Sequence, residues 1–118
     1  MTMNDLKDEE FNIEKTDTID SLAYEQETSS LILLLTDGMD WTDTNRHLLL
    51  LKEKLNTYIW YIDSRQYAEK YPNVKKIELR VSFLFEEPET CHLLFERAKQ
   101  ALTNVFENVE MIVEHGVK

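Results

Sequence analysis

Five consecutive aliphatic residues occupy positions 31–35, and they lead directly into the polar turn TDGMDW at 36–41. A strand that is apolar on both faces is typical of the centre of a sheet. A Leu-rich segment with helical spacing follows the turn. Small α/β proteins often carry a binding site or recognition surface in such a turn. This stretch therefore constrains the fold and is also the first place to look for function.

Residues 76–86 alternate between apolar and polar side chains, which predicts a strand with one buried and one solvated face. Its inward set ends at Phe85, whereas Leu84 falls on the opposite face. Two other segments, 48–62 and 91–105, repeat apolar residues at helical spacing and predict two helices.

Weaker patterns complete the set of elements. They predict strands at 18–25 and 109–114. Pro72 disfavours a helical conformation in the residue before it, so the first helix is expected to stop near Tyr71, and Pro88 suits the first turn of the second helix. The first helix has four plausible N-caps, among which the sequence does not choose: Asp40, Thr42, Asp43 and Thr44.

The predicted order is β-β-α-β-α-β. The first two strands are joined closely enough to require an antiparallel hairpin, and each later β-α-β unit implies a right-handed crossover. We therefore predict an α+β fold, a two-layer sandwich in which a four-stranded mixed sheet carries both helices on one face. Residues 16–118 form a single domain in this prediction. Residues 1–15 are acidic and without periodicity, and they are predicted to be a flexible tail that could fold on a partner.

The chain has 118 residues, of which 42% are apolar, and a net charge of −10, a composition typical of a soluble globular protein. The acidity disfavours nucleic acid and membranes as partners. It would suit a basic protein partner, although solubility alone is the simpler explanation. Apolar runs of at most five residues predict no transmembrane helix. A single cysteine, Cys91, and no signal peptide pattern favour a cytoplasmic protein.

Asp37, Asp40 and His47 are the residues best suited to bind a divalent metal or to transfer protons. Their spacing fits no known metal or catalytic motif, and turn and capping interactions explain both aspartates more simply. We therefore expect no catalytic residue, no metal and no cofactor. These three residues, with Trp41 and Asn56, remain the candidate binding residues.

The other polar residues fit ordinary structural roles. Cys91 lies in an amphipathic pattern, where a thiol acts as a small apolar side chain. Glu86, Glu87 and Glu89 predict a solvated acidic loop. His92 and His115 lie far apart in sequence, and neither suggests a metal site.

Two helices on one face would leave the other face of the sheet uncovered by its own chain. We expect this face to carry Leu84, Ile112 and one alternate set from residues 31–35. An uncovered apolar patch usually marks a partner surface, and two-fold self-association is the commonest solution. The prediction is a homodimer formed through this face, with Trp60 and Tyr61 as the alternative contact.

The segment LLLTDGMDW at 33–41, followed by HLLLLKEKLNTY at 47–58, is similar to a family of small bacterial proteins of unknown function. Members share an apolar strand, a turn that ends in Asp-Trp and a His-Leu-rich helix. Tyr71-Pro72 and the alternating strand at 76–86 also fit, so the resemblance covers residues 17–115. It implies a bacterial protein and brings no activity with it.

The sequence favours a non-enzymatic protein-interaction module. Two alternatives stay open. One is an acidic immunity or inhibitor-type protein that binds a basic partner, which an acidic patch on one face would favour. The other is a small ligand-binding or hydrolytic enzyme that uses Asp37, Asp40 and His47, which a deep pocket at the turn 36–41 would favour.

Overall fold

A β-hairpin followed by two β-α-β crossovers builds the molecule. The computed structural model describes residues 13–115. Its elements are β1 (Ser21–Glu25), β2 (Ser30–Asp37), α1 (Thr44–Ser64), a 3-10 turn (Gln66–Glu69), β3 (Lys76–Phe83), α2 (Cys91–Val105) and β4 (Val109–His115). Neither helix within these residues is long and apolar enough to cross a membrane.

The four strands lie side by side in the order in which they occur along the chain. β1 pairs antiparallel with β2, while β2, β3 and β4 are parallel to one another. Both crossovers advance in the same direction across the sheet, so right-handed connections place α1 and α2 on the same face. The predicted α+β, two-layer fold is confirmed.

The core lies between the helices and the inward face of the sheet. In β2 and β3 alternate residues are buried, as the pleat requires. α1 contributes a stripe that includes Leu51, Leu55 and Ile62, and α2 contributes Phe95 and Leu102. Cys91 is also buried in this core, as expected for a small apolar side chain.

The segment before β1 packs along α1. Ile13, which the sequence analysis placed in the tail, is 2% exposed and belongs to the core. Lys54 Nζ donates to the carbonyl of Lys15 at 2.9 Å, and the Thr57 hydroxyl donates to the carbonyl of Thr16 at 2.5 Å. The remaining predicted tail, residues 1–12, lies outside the described residues.

β3 ends at Phe83, three residues earlier than predicted. The backbone N–H of Leu84 still donates to the carbonyl of Asp37 at 2.9 Å, but β2 ends there and the chain then turns away. Without a neighbouring strand the ladder cannot continue. Phe85, predicted to point inward, is exposed, and Leu84 lies in the loop rather than on the sheet face.

The helix boundaries also differ in detail from the prediction. Asp43 is the N-cap of α1, and its side chain accepts from the backbone N–H of Arg46. α1 ends at Ser64 because Arg65 adopts a left-handed conformation with φ 60°. Pro88 was expected inside α2 but lies before it, where its carbonyl accepts from the N–H of Cys91.

The sheet face opposite the helices is more polar at its centre than predicted. Across the ladder, Leu34 is paired with Arg80, and Arg80 with Ile112. Arg80 forms an ion pair with Glu78 on the same face. Leu34 and Ile112 are half-buried, so this face is a mixed surface with two apolar flanks around a charged centre.

Candidate functional site

Asp37 is the last residue of β2 and continues its inward alternation, which places a carboxylate where Leu31, Leu33 and Leu35 place aliphatic side chains. It has no exposed surface. Its Oδ1 accepts from the backbone N–H of Met39 at 3.1 Å, which forms the turn after the strand. Burial raises the pKa of Asp37, and its hydrogen bond with His47 opposes that rise.

His47 lies in the first turn of α1, on the side of the helix that faces the sheet, and is fully buried. Its Nε2 lies 2.6 Å from Asp37 Oδ2, and its Nδ1 lies 2.9 Å from the carbonyl oxygen of Asp40. A carbonyl oxygen can only accept, so Nδ1 must carry a proton. The contact between Nε2 and Asp37 Oδ2 is then a hydrogen bond, whose donor is either the imidazole or a protonated carboxyl.

Trp41 covers this pair. Its ring stacks on the imidazole of His47, with centroids 3.5 Å apart and planes inclined by 12°. Its Nε1 donates to the carbonyl of Phe85 at 3.1 Å, which fastens the turn 36–41 to the loop after β3. The three residues form a closed unit, which we call the Asp-His-Trp unit.

The structure therefore brings together three of the five candidate binding residues as side chains. Asp40 contributes only its carbonyl, since its carboxylate is exposed. The hydrogen bond from the backbone N–H of Thr42 lowers the pKa of Asp40. Asn56 lies elsewhere, on the outer side of α1. Within residues 13–115 no group of three or more His, Cys, Asp or Glu side chains is placed to hold a metal ion.

A second buried charged pair escaped the sequence analysis. Lys54 Nζ lies 2.6 Å from Asp20 Oδ1, and both side chains are fully buried. Asp20 Oδ2 accepts from the N–H of Thr36 at 2.8 Å. The Tyr58 hydroxyl accepts from the N–H of Asp20 at 2.8 Å and donates to the carbonyl of Leu34 at 2.5 Å. These bonds tie the segment before β1, strand β2 and α1 together.

The sequence did carry a signal for this pair. Residues 47, 51, 54, 58 and 62 follow one another at helical spacing, and all are buried in α1. A lysine within that stripe has to find an acidic partner inside the protein, because an unpaired buried charge is very costly. The partner, Asp20, could not be identified from spacing alone.

The loop after β3 contributes a third pair, which corrects the prediction of a fully solvated acidic loop. Glu87 is 8% exposed at its side chain, and its Oε1 lies 2.5 Å from His115 Nε2 at the end of β4. Glu86 and Glu89 are exposed, as expected. Burial, with the nearby charges of Glu87 and Asp37, raises the pKa of Cys91 to about 12, so this thiol stays protonated.

A groove between α1 and α2 is a further surface feature that could bind a partner. Its volume is about 440 Å³. Leu55 and Ala98 lie at its floor, since both are buried, while Leu49 and Leu93 are 55% and 60% exposed. Its lining consists of Asn45, Leu48, Leu49, Lys52, Leu55, Asn56, Ile59, Thr90, Leu93, Leu94, Arg97 and Ala98.

Trp60 and Tyr61, which were predicted as an alternative contact surface, differ in their exposure. Trp60 is 59% exposed on the outer side of α1. Tyr61, expected to be exposed with it, is half-buried and packs against Tyr67, with ring centroids 6.2 Å apart. Trp60 is therefore available for a partner, whereas Tyr61 mainly covers the end of the core.

The fold and these sites define a small α+β domain with two buried polar pairs, Asp37–His47 and Asp20–Lys54, and several exposed apolar side chains. Comparison with protein families matches residues 11–115 to a family of unknown function, DUF6572. The chain belongs to that family, which confirms the resemblance seen in the sequence. A search of curated proteins found no match, and neither did a search of solved structures.

Proposed function

We propose that this protein is a non-enzymatic interaction module that binds a protein partner on the outer surface of its helix layer. The observation that carries the proposal is the exposure of Leu49 and Leu93 on the two sides of one groove. Trp60 adds a third exposed apolar side chain on α1. Clustered apolar side chains of this size commonly mark partner surfaces, and a Trp is a frequent anchor.

The burial of the Asp-His-Trp unit also favours a non-enzymatic function. A catalytic acid or base has to come within hydrogen-bond distance of a substrate atom. Both polar atoms of the His47 ring already have partners, and Asp37 and His47 have no exposed surface. The unit is better suited to hold the turn 36–41 in place than to act on a ligand.

Site-specific photo-crosslinking in the native cells tests this function. A photoreactive residue at Leu49 should crosslink to one defined protein, whereas the same residue at Leu22, an exposed leucine of β1, should not. The purified partner should then bind the wild-type chain, with binding lost in Leu93→Glu and retained in Leu22→Glu. Equal crosslinking from both positions, or unchanged binding by Leu93→Glu, would contradict the proposal.

The uncovered sheet face supports a second proposal, a homodimer. No described residue of the helix layer packs over Leu34 and Ile112 on that face, and both lie beside the Glu78–Arg80 ion pair. A two-fold contact would cover these apolar side chains with those of a second copy. Light scattering should give twice the monomer mass, and Ile112→Glu should reduce it while Leu49→Glu does not. A monomer at high micromolar concentration would exclude this assembly.

A further inference from the structure

The charge of the groove between α1 and α2 is opposite to the charge of the whole chain. The chain has 23 acidic and 13 basic residues. Among residues 13–115, however, the lining of the groove includes no Asp or Glu, and its two charged residues are Lys52 and Arg97. Both are exposed and lie on different helices. A random sample of this surface would give more acids than bases, so the groove differs from its surroundings.

The dimensions of the groove favour a helix as the occupant. Its lining on α1 extends from Asn45 to Ile59, which at the rise of a helix is about 21 Å, or about four turns. The residues between follow every third or fourth position, so the groove runs along the helix axis. Amphipathic helices bind such grooves by placing residues spaced three and four apart onto the apolar floor.

From these two observations we propose that the groove binds an amphipathic helix whose apolar face is flanked by acidic side chains. The apolar face would pack over Leu55 and Ala98, between Leu49 and Leu93, and the acidic flanks would meet Lys52 and Arg97. This inference rests on the proposed function and specifies the chemistry of the partner. It differs from the basic partner that the net charge favours.

Two synthetic peptides test the chemistry directly. Both are about 18 residues long and carry the same helical stripe of Leu, but one has Glu at every flanking position and the other has Lys. Fluorescence polarisation measures their binding to the full chain at low salt. The net charge of −10 alone would attract the Lys peptide, whereas the groove should bind the Glu peptide at least about tenfold more tightly.

Charge reversal in the groove provides the matched comparison. Lys52→Glu with Arg97→Glu should abolish the preference or reverse it. Lys99→Glu should leave it unchanged, because Lys99 is on α2 as well, two positions after Arg97, but does not line the groove. Ala98→Met should weaken binding of both peptides by filling the floor, without altering the preference.

The outcomes separate this inference from the function on which it rests. Tighter binding of the Lys peptide by the wild-type chain would overturn the acidic-helix proposal, even if crosslinking from Leu49 still identified a partner. A dimer in light scattering that Leu93→Glu dissociates would also overturn it, by assigning the groove to a second copy. Preference for the Glu peptide, lost only in the groove variants, would support it.

Discussion

Two buried charged pairs hold α1 against the sheet, and they are built from different chemistry. In each, a side chain of α1 lies 2.6 Å from a carboxylate, and neither partner has exposed side-chain surface. The Lys54 ammonium donates to Asp20 Oδ1 and to the carbonyl of Lys15. The His47 imidazole contacts Asp37 Oδ2 through Nε2 and the carbonyl of Asp40 through Nδ1. The first pair joins an ammonium group to a carboxylate, and the second joins an aromatic ring to one.

The two pairs also differ in what surrounds them. Lys54 lies in the middle of α1, and its pair joins the segment before β1, strand β2 and the helix, since Asp20 accepts from the N–H of Thr36. Asp37 and His47 lie at the end of β2 with Trp41 as their cover. Loss of the first pair should therefore affect the whole fold, whereas loss of the second should affect one turn most strongly.

Lys54→Met should be the most damaging change. It leaves the Asp20 carboxylate buried without its cation and removes the bond to Lys15, so we expect a loss of about 3–5 kcal/mol in the free energy of unfolding. Urea denaturation measures it. Lys52→Met, two positions away and exposed, should change stability by less than about 0.5 kcal/mol. Equal effects of the two variants would mean that the buried pair contributes nothing.

His47→Leu should cost less, about 2–3 kcal/mol, although the pair it breaks is just as buried. Burial raises the pKa of both Asp37 and Asp20, so either carboxyl can take up a proton when its partner is removed. We expect the smaller cost because His47 lies in the first turn of α1, whereas Lys54 lies in the middle of the helix. His92→Leu, an exposed histidine on α2, is the control and should be nearly neutral. A loss as large as that of Lys54→Met would show that the two pairs are equivalent after all.

The sequence predicted the fold far better than it predicted these pairs. The apolar run at 31–35, the alternation at 76–86 and the helical spacing at 48–62 and 91–105 depend only on which residues are apolar, and together they predict the layers and the order of the elements. Asp37 and His47 were singled out, but only coordinates could show that the imidazole contacts both that carboxylate and the Asp40 carbonyl. Asp20 and Lys54 are 34 residues apart and carry no local pattern. Contacts between side chains far apart in the sequence depend on how strands and helices pack together, and the spacing of apolar residues within one element does not determine that packing.

The groove was missed for a related reason. Leu48, Leu51, Leu55 and Ile59 belong to one apolar stripe within the helical segment 48–62. Because α2 packs beside α1, that stripe divides: Leu51 is buried away from the groove, Leu55 lies at its floor, and the half-buried Leu48 and Ile59 line it. A helical pattern identifies an apolar face but cannot tell which of its edges meets a neighbour.

The smallest expected effect is a difference in the pH dependence of stability. Asp37 and Asp40 should contribute to it with opposite signs. Burial raises the pKa of Asp37 in the folded protein, and repulsion from Asp20 adds to the rise, while a hydrogen bond from Thr42 lowers the pKa of Asp40. A raised pKa gives stability at low pH that is lost as the pH rises through the folded value. A lowered pKa gives stability at higher pH that is lost as the pH falls through the folded value.

Urea denaturation of the wild type, Asp37→Asn and Asp40→Asn between pH 4 and pH 8 measures both slopes. The stability of the wild type relative to Asp37→Asn should decrease as the pH rises from the ordinary carboxyl range towards neutral. Relative to Asp40→Asn it should increase at the acidic end of the same range, and by less, because the Asp40 carboxylate is exposed and screened by solvent. Two slopes of the same sign would show that the bond with His47 outweighs burial at Asp37.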